Sequence, residues 1–281
     1  MKHPLFDKTK AIAESMRPKT IPLALMGVFI GGIVADSASY ASFNLFLAVV
    51  AAFFVTAGSL IFNDYYDWKI DKVIHPNRPI PSGRLLPKEG LYFAILSFCI
   101  TLILSFFINI ICFGMAIISI VCIILYDELF KKKGILGNLV VAFVSAMSFT
   151  FGSAAVGQPF SSMILSIMAF FIFLGREILM DVRDIGGDML ARVTLPMQIG
   201  EKTATYIGCI FLAVTIILTP LPFLWGILSV WYLLTIIFVD LIGVYVILLS
   251  FKKIRNIGKM ADLVRIVAAV GLISFIVGSV M

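Results

Sequence analysis

The stretch FNLFLAVVAAFFVTAGSLIFNDYYDWKID, Phe43 to Asp71, carries the deciding pattern. No charge occurs from Phe43 to Phe62, and such a run is long enough to cross a bilayer core as a helix, which takes roughly 17–25 apolar residues. The run ends in Asn63 and Asp64, followed by Asp67 and Asp71. A second apolar run, FIFLGREILMDVRDIGGD from Phe171 to Asp188, ends in Asp181, Asp184 and Asp188. The spacing is the same in both. On a helix, positions i, i+3 and i+7 share one face. Each set therefore reads as a stripe of three carboxylates at one end of a spanning helix, and Asn63, Asp67 and Asp71 form an overlapping stripe.

The rest of the chain agrees with a membrane setting. It has 281 residues, 61% hydrophobic and only 14% charged. That balance excludes a disordered chain, a disulfide scaffold and an ordinary soluble domain. Nine spans are predicted, near 20–36, 43–64, 89–107, 110–126, 135–156, 162–180, 203–221, 226–250 and 262–281. The split between the third and fourth rests on Asn109. The fold class is thus all-α, a polytopic bundle of nine transmembrane helices with cap loops on the cytoplasmic side. No linker or composition break suggests a second domain, so residues 1–281 read as a single one.

The 22 basic residues set the orientation. They cluster before span one and around the two–three, four–five, six–seven and eight–nine connections. The opposite connections, 37–42, 108–109, 157–161 and 222–225, carry none. Positive-inside logic gives a cytoplasmic N-terminus and an external C-terminus in a multi-pass cell-membrane protein. The net charge of +6 follows this topology, so no nucleic-acid partner is expected. The two long connections, 65–88 and 181–202, lie on the cytoplasmic side and mark it as the working end. The N-terminal segment lacks a signal-peptide core. Its Leu5, Thr9, Ile12 and Met16 share a helical face, which reads as a short amphipathic helix on the membrane surface.

Four cysteines and two histidines are too few and too scattered for a soft-metal site; Cys99, Cys112, Cys122 and Cys209 sit in apolar runs and read as packing residues. Six carboxylates in two matched sets repel one another unless cations neutralise them. Oxygen-only donors select Mg²⁺ or a similar hard ion, which commonly bridges one or two carboxylates to phosphate oxygens. Two facing clusters can therefore hold a diphosphate. The loop His75-Pro76-Asn77-Arg78-Pro79-Ile80-Pro81-Ser82-Gly83-Arg84 is stiffened by proline and offers Arg78 and Arg84 for bidentate phosphate contact. Arg17, at the entry to span one, and Tyr126 with Lys131, Lys132 and Lys133, at the end of span four, are further candidates; the basic ones also serve the positive-inside pattern. Asp240 lies mid-span, where a carboxylate is costly, and reads as protonated or hydrogen-bonded to a neighbouring helix. Asn138 reads equally as a cap or a site residue.

At these residues the chain resembles the UbiA family of intramembrane prenyltransferases. The first motif is similar to the family's N-D-x-x-D-x-x-x-D, here Asn63 to Asp71. Asn77 to Leu85, NRPIPSGRL, resembles a branch that joins the archaeal ether-lipid enzymes with chlorophyll synthase and homogentisate prenyltransferases, and the second motif, Arg176-Glu177-Ile178 with Asp181, Asp184, Gly187 and Asp188, is most similar to the archaeal ether-lipid enzymes. Tyr126 and Lys131 resemble a Tyr/Lys motif of the third cytoplasmic loop, at a spacing one residue longer than in the branch that prenylates 4-hydroxybenzoate. Gly186 stands where many members carry Glu.

The resemblance implies a helical bundle around a central cavity and Mg²⁺-dependent transfer from a prenyl diphosphate. It implies Asn63, Asp64, Asp67 and Asp71 at one metal cluster and Asp181, Asp184 and Asp188 at the other. Asp67, Asp71, Asp184 and Asp188 would be catalytic, with Arg17, Arg78, Arg84, Tyr126 and Lys131 on the diphosphate. The expected reaction moves a geranylgeranyl group from geranylgeranyl diphosphate to the free hydroxyl of geranylgeranylglyceryl phosphate. An aromatic acceptor is the alternative within the family, and a cation-coupled transporter the alternative outside it. Partners are the prenyl diphosphate donor, a lipid acceptor and membrane lipids, with no obligate protein partner evident.

Overall fold

The computed structural model describes residues 4–18, 20–188, 193–252 and 257–280. Among these no strand occurs; the elements are α1 (Pro4–Ser15), α2 (Ile21–Ala35), α3 (Phe43–Ile74), α4 (Pro87–Ile108), α5 (Ile110–Leu125), α6 (Ile135–Ala155), α7 (Met163–Asp188), α8 (Leu195–Ile199), α9 (Glu201–Leu218), α10 (Leu221–Leu224), α11 (Val230–Lys252) and α12 (Ile257–Val280). A 3₁₀ turn, Ser37–Ala41, follows α2, and a π-helical turn, Tyr126–Phe130, follows α5.

Eight of the described helices are long and apolar enough to cross a membrane. The ninth expected span, residues 20–36, is the apolar 15-residue helix α2. At 1.5 Å per residue it is about 22 Å long, short of a hydrocarbon core of about 30 Å. Asp36 ends it, adopting extended φ/ψ and capping the 3₁₀ turn through Ala38 N at 3.0 Å. The expected break at Asn109 is present. Its backbone is extended, its Oδ1 accepts from Cys112 N at 2.8 Å, and its Nδ2 donates to Ala154 O at 2.8 Å. One side chain thus ends α4, caps α5 and ties both to α6.

Two helices run past their expected ends. α3 continues through Asp71 to Ile74, and α7 continues to Asp188. The α3 extension contains no breaker until Pro76, and α7 runs on through Gly186 and Gly187 to Asp188, so the carboxylates of both stay in helical register. The N-terminal helix exists, but its apolar side packs on protein. Ala11 and Ile12 lie against Ile80, Leu85, Tyr65 and Trp68. Lys8–Glu89 (2.5 Å) and Glu14–Arg84 (2.5 Å) pin it to the start of α4 and to the proline loop. The Arg84 guanidinium holds the Glu14 carboxyl below its ordinary range.

Helices α2, α6, α7 and α12 pack about the centre, with α9 beside α7, α11 against α12 and α9, α3 beside α2 and α6, α5 beside α6, and α4 outside them against α3 and α5. In the core Tyr232 stacks on Phe275 at 5.5 Å between ring centroids. The α2–α6 contact is backbone-close because Gly27 and Gly31 face Ser148 and Gly152, the small-residue spacing typical of membrane helix pairs. A Cβ on Gly152 would stand 1.8 Å from Val28 O, and one on Gly31 2.0 Å from Phe149 O. Gly152→Ala is therefore expected to force the helices apart at a cost of about 3 kcal/mol. Thermal unfolding in detergent checks this against Gly114→Ala, where the new methyl meets nothing within 4 Å and the change should be close to neutral.

Candidate active site

The carboxylate end of α3 faces a belt of cations supplied by three other segments. Arg17, between α1 and α2, donates from Nη2 to Asp64 Oδ1 at 2.6 Å. Its backbone has φ of 50°, a left-handed conformation costly for a residue with a Cβ. Arg78, from the proline loop, donates from Nη1 to Asp71 Oδ2 at 2.6 Å and lies 3.6 Å from Asp64 Oδ1. Lys131 donates to Asp67 and lies 3.5 Å from Asp127 Oδ1. Asn63 Nδ2 donates to that same Asp127 oxygen at 2.7 Å. Asp64 is 2% exposed, Asp71 4% and Asp127 4%, so these are interior ion pairs and not solvated surface contacts.

The π-turn ends just before the three consecutive lysines and sets where each points. Lys131 N bonds Tyr126 O at 2.8 Å, five residues back, so the wider turn absorbs an extra residue between the two side chains. Lys131 is thereby swung beside Tyr126, its Nζ 5.9 Å from the ring centroid, and onto the carboxylates. Lys133 lies over the Phe130 ring instead, and Lys132 is exposed.

On α7, buried Asp181 accepts from Asn138 Nδ2 at 2.8 Å. Asn138 is thus an interior partner of the second stripe and no helix cap. Asp184 is partly exposed and takes a bidentate contact from neighbouring Arg183, at 2.7 and 2.8 Å. Asp188 ends α7; its side chain lies outside the described residues. Arg84 departs from the expected pattern. It reaches Glu14 and Asn77 O rather than the carboxylate belt, and it is absent from the cavity wall. Asp127 was not singled out from the sequence. It lies four residues before Lys131 at the end of an apolar run, which is the signal that points to it.

A cavity of about 570 Å³ opens from this belt into the bundle. Arg17, Asn63, Tyr126 and Asp127 line it at the belt, Arg176 and Glu177 stand elsewhere on its wall, and the remaining wall is mostly apolar. Asp240 also lies on the wall, away from the belt, where it accepts from Thr219 Oγ1 at 2.7 Å; Thr219 O in turn accepts from Tyr232 OH at 2.8 Å. The hydrogen-bonded reading of Asp240 therefore holds.

Among the described residues no three metal-binding side chains already converge on one point. The donor set nevertheless fits a hard divalent cation. Every donor is oxygen, and Asp64, Asp67, Asp71 and Asp127 exceed Arg17, Arg78 and Lys131 by one charge, with Asp181 bonded to a neutral amide. Added positive charge would relieve that surplus, and the need for it grows if the arginines and lysine turn from the carboxylates to an anion. The carboxylates occupy the last turns of α3 and α7 and not the middle of broken helices, where transporter ion sites usually lie.

A model of the UbiA prenyltransferase family matches residues 24–261. A digeranylgeranylglyceryl phosphate synthase of Methanococcus maripaludis is 38% identical over 275 residues, covering 96% of this chain and 98% of the relative. A solved structure described as digeranylgeranylglyceryl phosphate synthase superposes with a TM-score of 0.84 at 30% identity, covering 97% of this chain and 99% of its own. A UbiA homolog from Archaeoglobus fulgidus bound to GPP and Mg²⁺ shares the fold, with a TM-score of 0.67 at 19% identity and coverage of 95% and 100%.

Proposed function

The chain belongs to the UbiA prenyltransferase family and is a membrane-embedded prenyltransferase; on that premise we propose that it transfers a geranylgeranyl group from geranylgeranyl diphosphate to the free hydroxyl of geranylgeranylglyceryl phosphate, in ether-lipid synthesis. One observation carries this reading beyond the family: a belt of paired carboxylates and cations stands at the polar end of a largely apolar cavity. A donor with a charged head and a long apolar tail matches that division. The near-full-length relative named for this synthesis supports the choice of acceptor.

Asn63, Asp64, Asp67 and Asp71, with Asp127, would hold Mg²⁺ on the α3 side, and Asp181, Asp184 and Asp188 on the α7 side. The bound ion supplies charge neutralisation and Lewis-acid withdrawal at the diphosphate. Arg17, Arg78 and Lys131 then exchange carboxylate for phosphate oxygens and stabilise negative charge as the allylic carbon–oxygen bond breaks. Tyr126 flanks Lys131 and holds it at the cavity mouth. Arg84 acts at one remove, bridging the proline loop to Glu14 of α1 so that Arg78 keeps its position. The apolar wall keeps water from the electrophilic carbon until the acceptor hydroxyl attacks it. As the new ether bond forms, the hydroxyl proton passes to the released diphosphate. The site opens to the cytoplasm, consistent with the lysine- and arginine-rich connections on that side.

The test is a prenyl-transfer assay on the full chain in detergent with Mg²⁺, labelled geranylgeranyl diphosphate and geranylgeranylglyceryl phosphate. A doubly prenylated glycerol phosphate is expected. Prenylation of an aromatic acceptor instead, with the glycerol phosphate left untouched, would overturn the assignment within the family.

A further inference from the structure

Arg176 and Glu177 line the cavity but take no part in the belt. Glu177 lies four residues before Asp181 and seven before Asp184, on the same helical stripe, so it continues the α7 carboxylates one turn further into the bundle. Arg176 lies beside it, about 7.5 Å deeper along the helix than Asp181 at 1.5 Å per residue. Its Nη1 donates to Glu177 Oε1 at 2.5 Å. Its Nε is buried and finds no hydrogen-bond partner among the described residues.

That pairing leaves one edge of the guanidinium poised. Nε and Nη2 form the side-on fork that matches two oxygens of a phosphate, while Glu177 holds the opposite nitrogen and fixes the plane. The other wall arginines differ. Arg17 is taken by Asp64, and Arg265 is an exposed residue of α12. A buried N–H with no partner is costly and rare, and in a cavity wall it points to a ligand oxygen.

We propose that Arg176, oriented by Glu177, binds the phosphate of the lipid acceptor through this fork and so selects acceptors that carry an anionic headgroup. The inference rests on the acceptor reading given above. The donor diphosphate presents the same chemistry, but the three belt cations already face its position. An acceptor whose hydroxyl must reach the donor carbon inside the belt needs its own phosphate met deeper in an otherwise apolar wall. Arg176 stands there. Glu177 is a positioning residue in this scheme.

The test compares geranylgeranylglyceryl phosphate with the same glycerol lipid lacking phosphate, each titrated against the full chain in detergent. Wild type should favour the phosphorylated acceptor. Arg176→Gln should raise the KM for that acceptor at least tenfold, leave the donor KM within twofold, and abolish the preference. Arg176→Lys keeps the charge without the fork, and it serves if the first variant fails to fold. It should raise the acceptor KM at least threefold with the donor KM unchanged. A donor KM that rises as much as the acceptor KM would assign the fork to the diphosphate and overturn the proposal. So would an undiminished preference in both variants. A wild-type enzyme that uses neither glycerol lipid would instead remove the functional reading itself, before any variant is compared.

Discussion

Asp67→Ala and Asp184→Ala are each expected to cut prenyl transfer by about 10³-fold or more, the scale on which loss of a leading electrostatic contact acts, while leaving the bundle folded. The two sites suit this test because their packing roles are small. Removing the Asp67 carboxylate leaves Lys131 with Asp127, 3.5 Å away, so no buried ammonium is stranded. The Asp184 side chain is 39% exposed and pairs with its neighbour Arg183, and such a pair contributes at most about 1 kcal/mol. Asp64 is the contrasting case. It is 2% exposed and pairs at 2.6 Å with Arg17, so its removal leaves that guanidinium without its buried counter-charge, while Arg78 keeps Asp71, and destabilises the fold together with the chemistry. Transfer rate and thermal unfolding should therefore be measured side by side. Full activity in both Asp67→Ala and Asp184→Ala would refute the carboxylate mechanism, and a fall in rate matched by a fall in melting temperature would indicate a structural role.

The sequence made legible whatever depends on local period. Hydropathy located the spans, Asn109 located a break on its own, and the i, i+3, i+7 spacing predicted carboxylate stripes that the extended α3 and α7 preserve. Pairings across the chain were not legible. Arg84 answers Glu14, 70 residues away, and nothing near Arg84 encodes that. The amphipathic face of α1 predicts burial but not the surface that meets it, which is the proline loop with Tyr65 and Trp68 of α3. Lys131 could not be chosen from three adjacent lysines because the choice depends on a π-turn, and a π-turn leaves no period in the sequence. The Arg176 fork is the same kind of case: the residue is plain in the motif, but only the packed cavity leaves its Nε without a partner.

Chelation should abolish turnover reversibly, and the accompanying stability change should depend on the donor. Asp64, Asp67 and Asp71 each contact an arginine or lysine of the chain, as does Asp127. A divalent ion approaching them must displace or share with those cations, which costs favourable contacts. A diphosphate approaching Arg17, Arg78 and Lys131 must likewise draw them from the carboxylates. Each ligand alone thus opposes existing pairs, whereas the two together give every displaced charge a new partner. Binding should therefore be strongly coupled, and the coupling is reciprocal. With EDTA the transfer rate should fall by about 10³-fold or more, as expected when charge neutralisation at the leaving group is lost, and excess Mg²⁺ should restore it because the belt stays paired and folded meanwhile. In thermal unfolding, Mg²⁺ alone or a non-hydrolysable prenyl diphosphate alone should move the midpoint little. Added together at about a hundred times their joint dissociation constant they should stabilise by about 2.7 kcal/mol, a shift of several degrees. Equal and additive shifts from each ligand alone would show that the carboxylates and the basic residues bind independently, and would sink this exchange of partners.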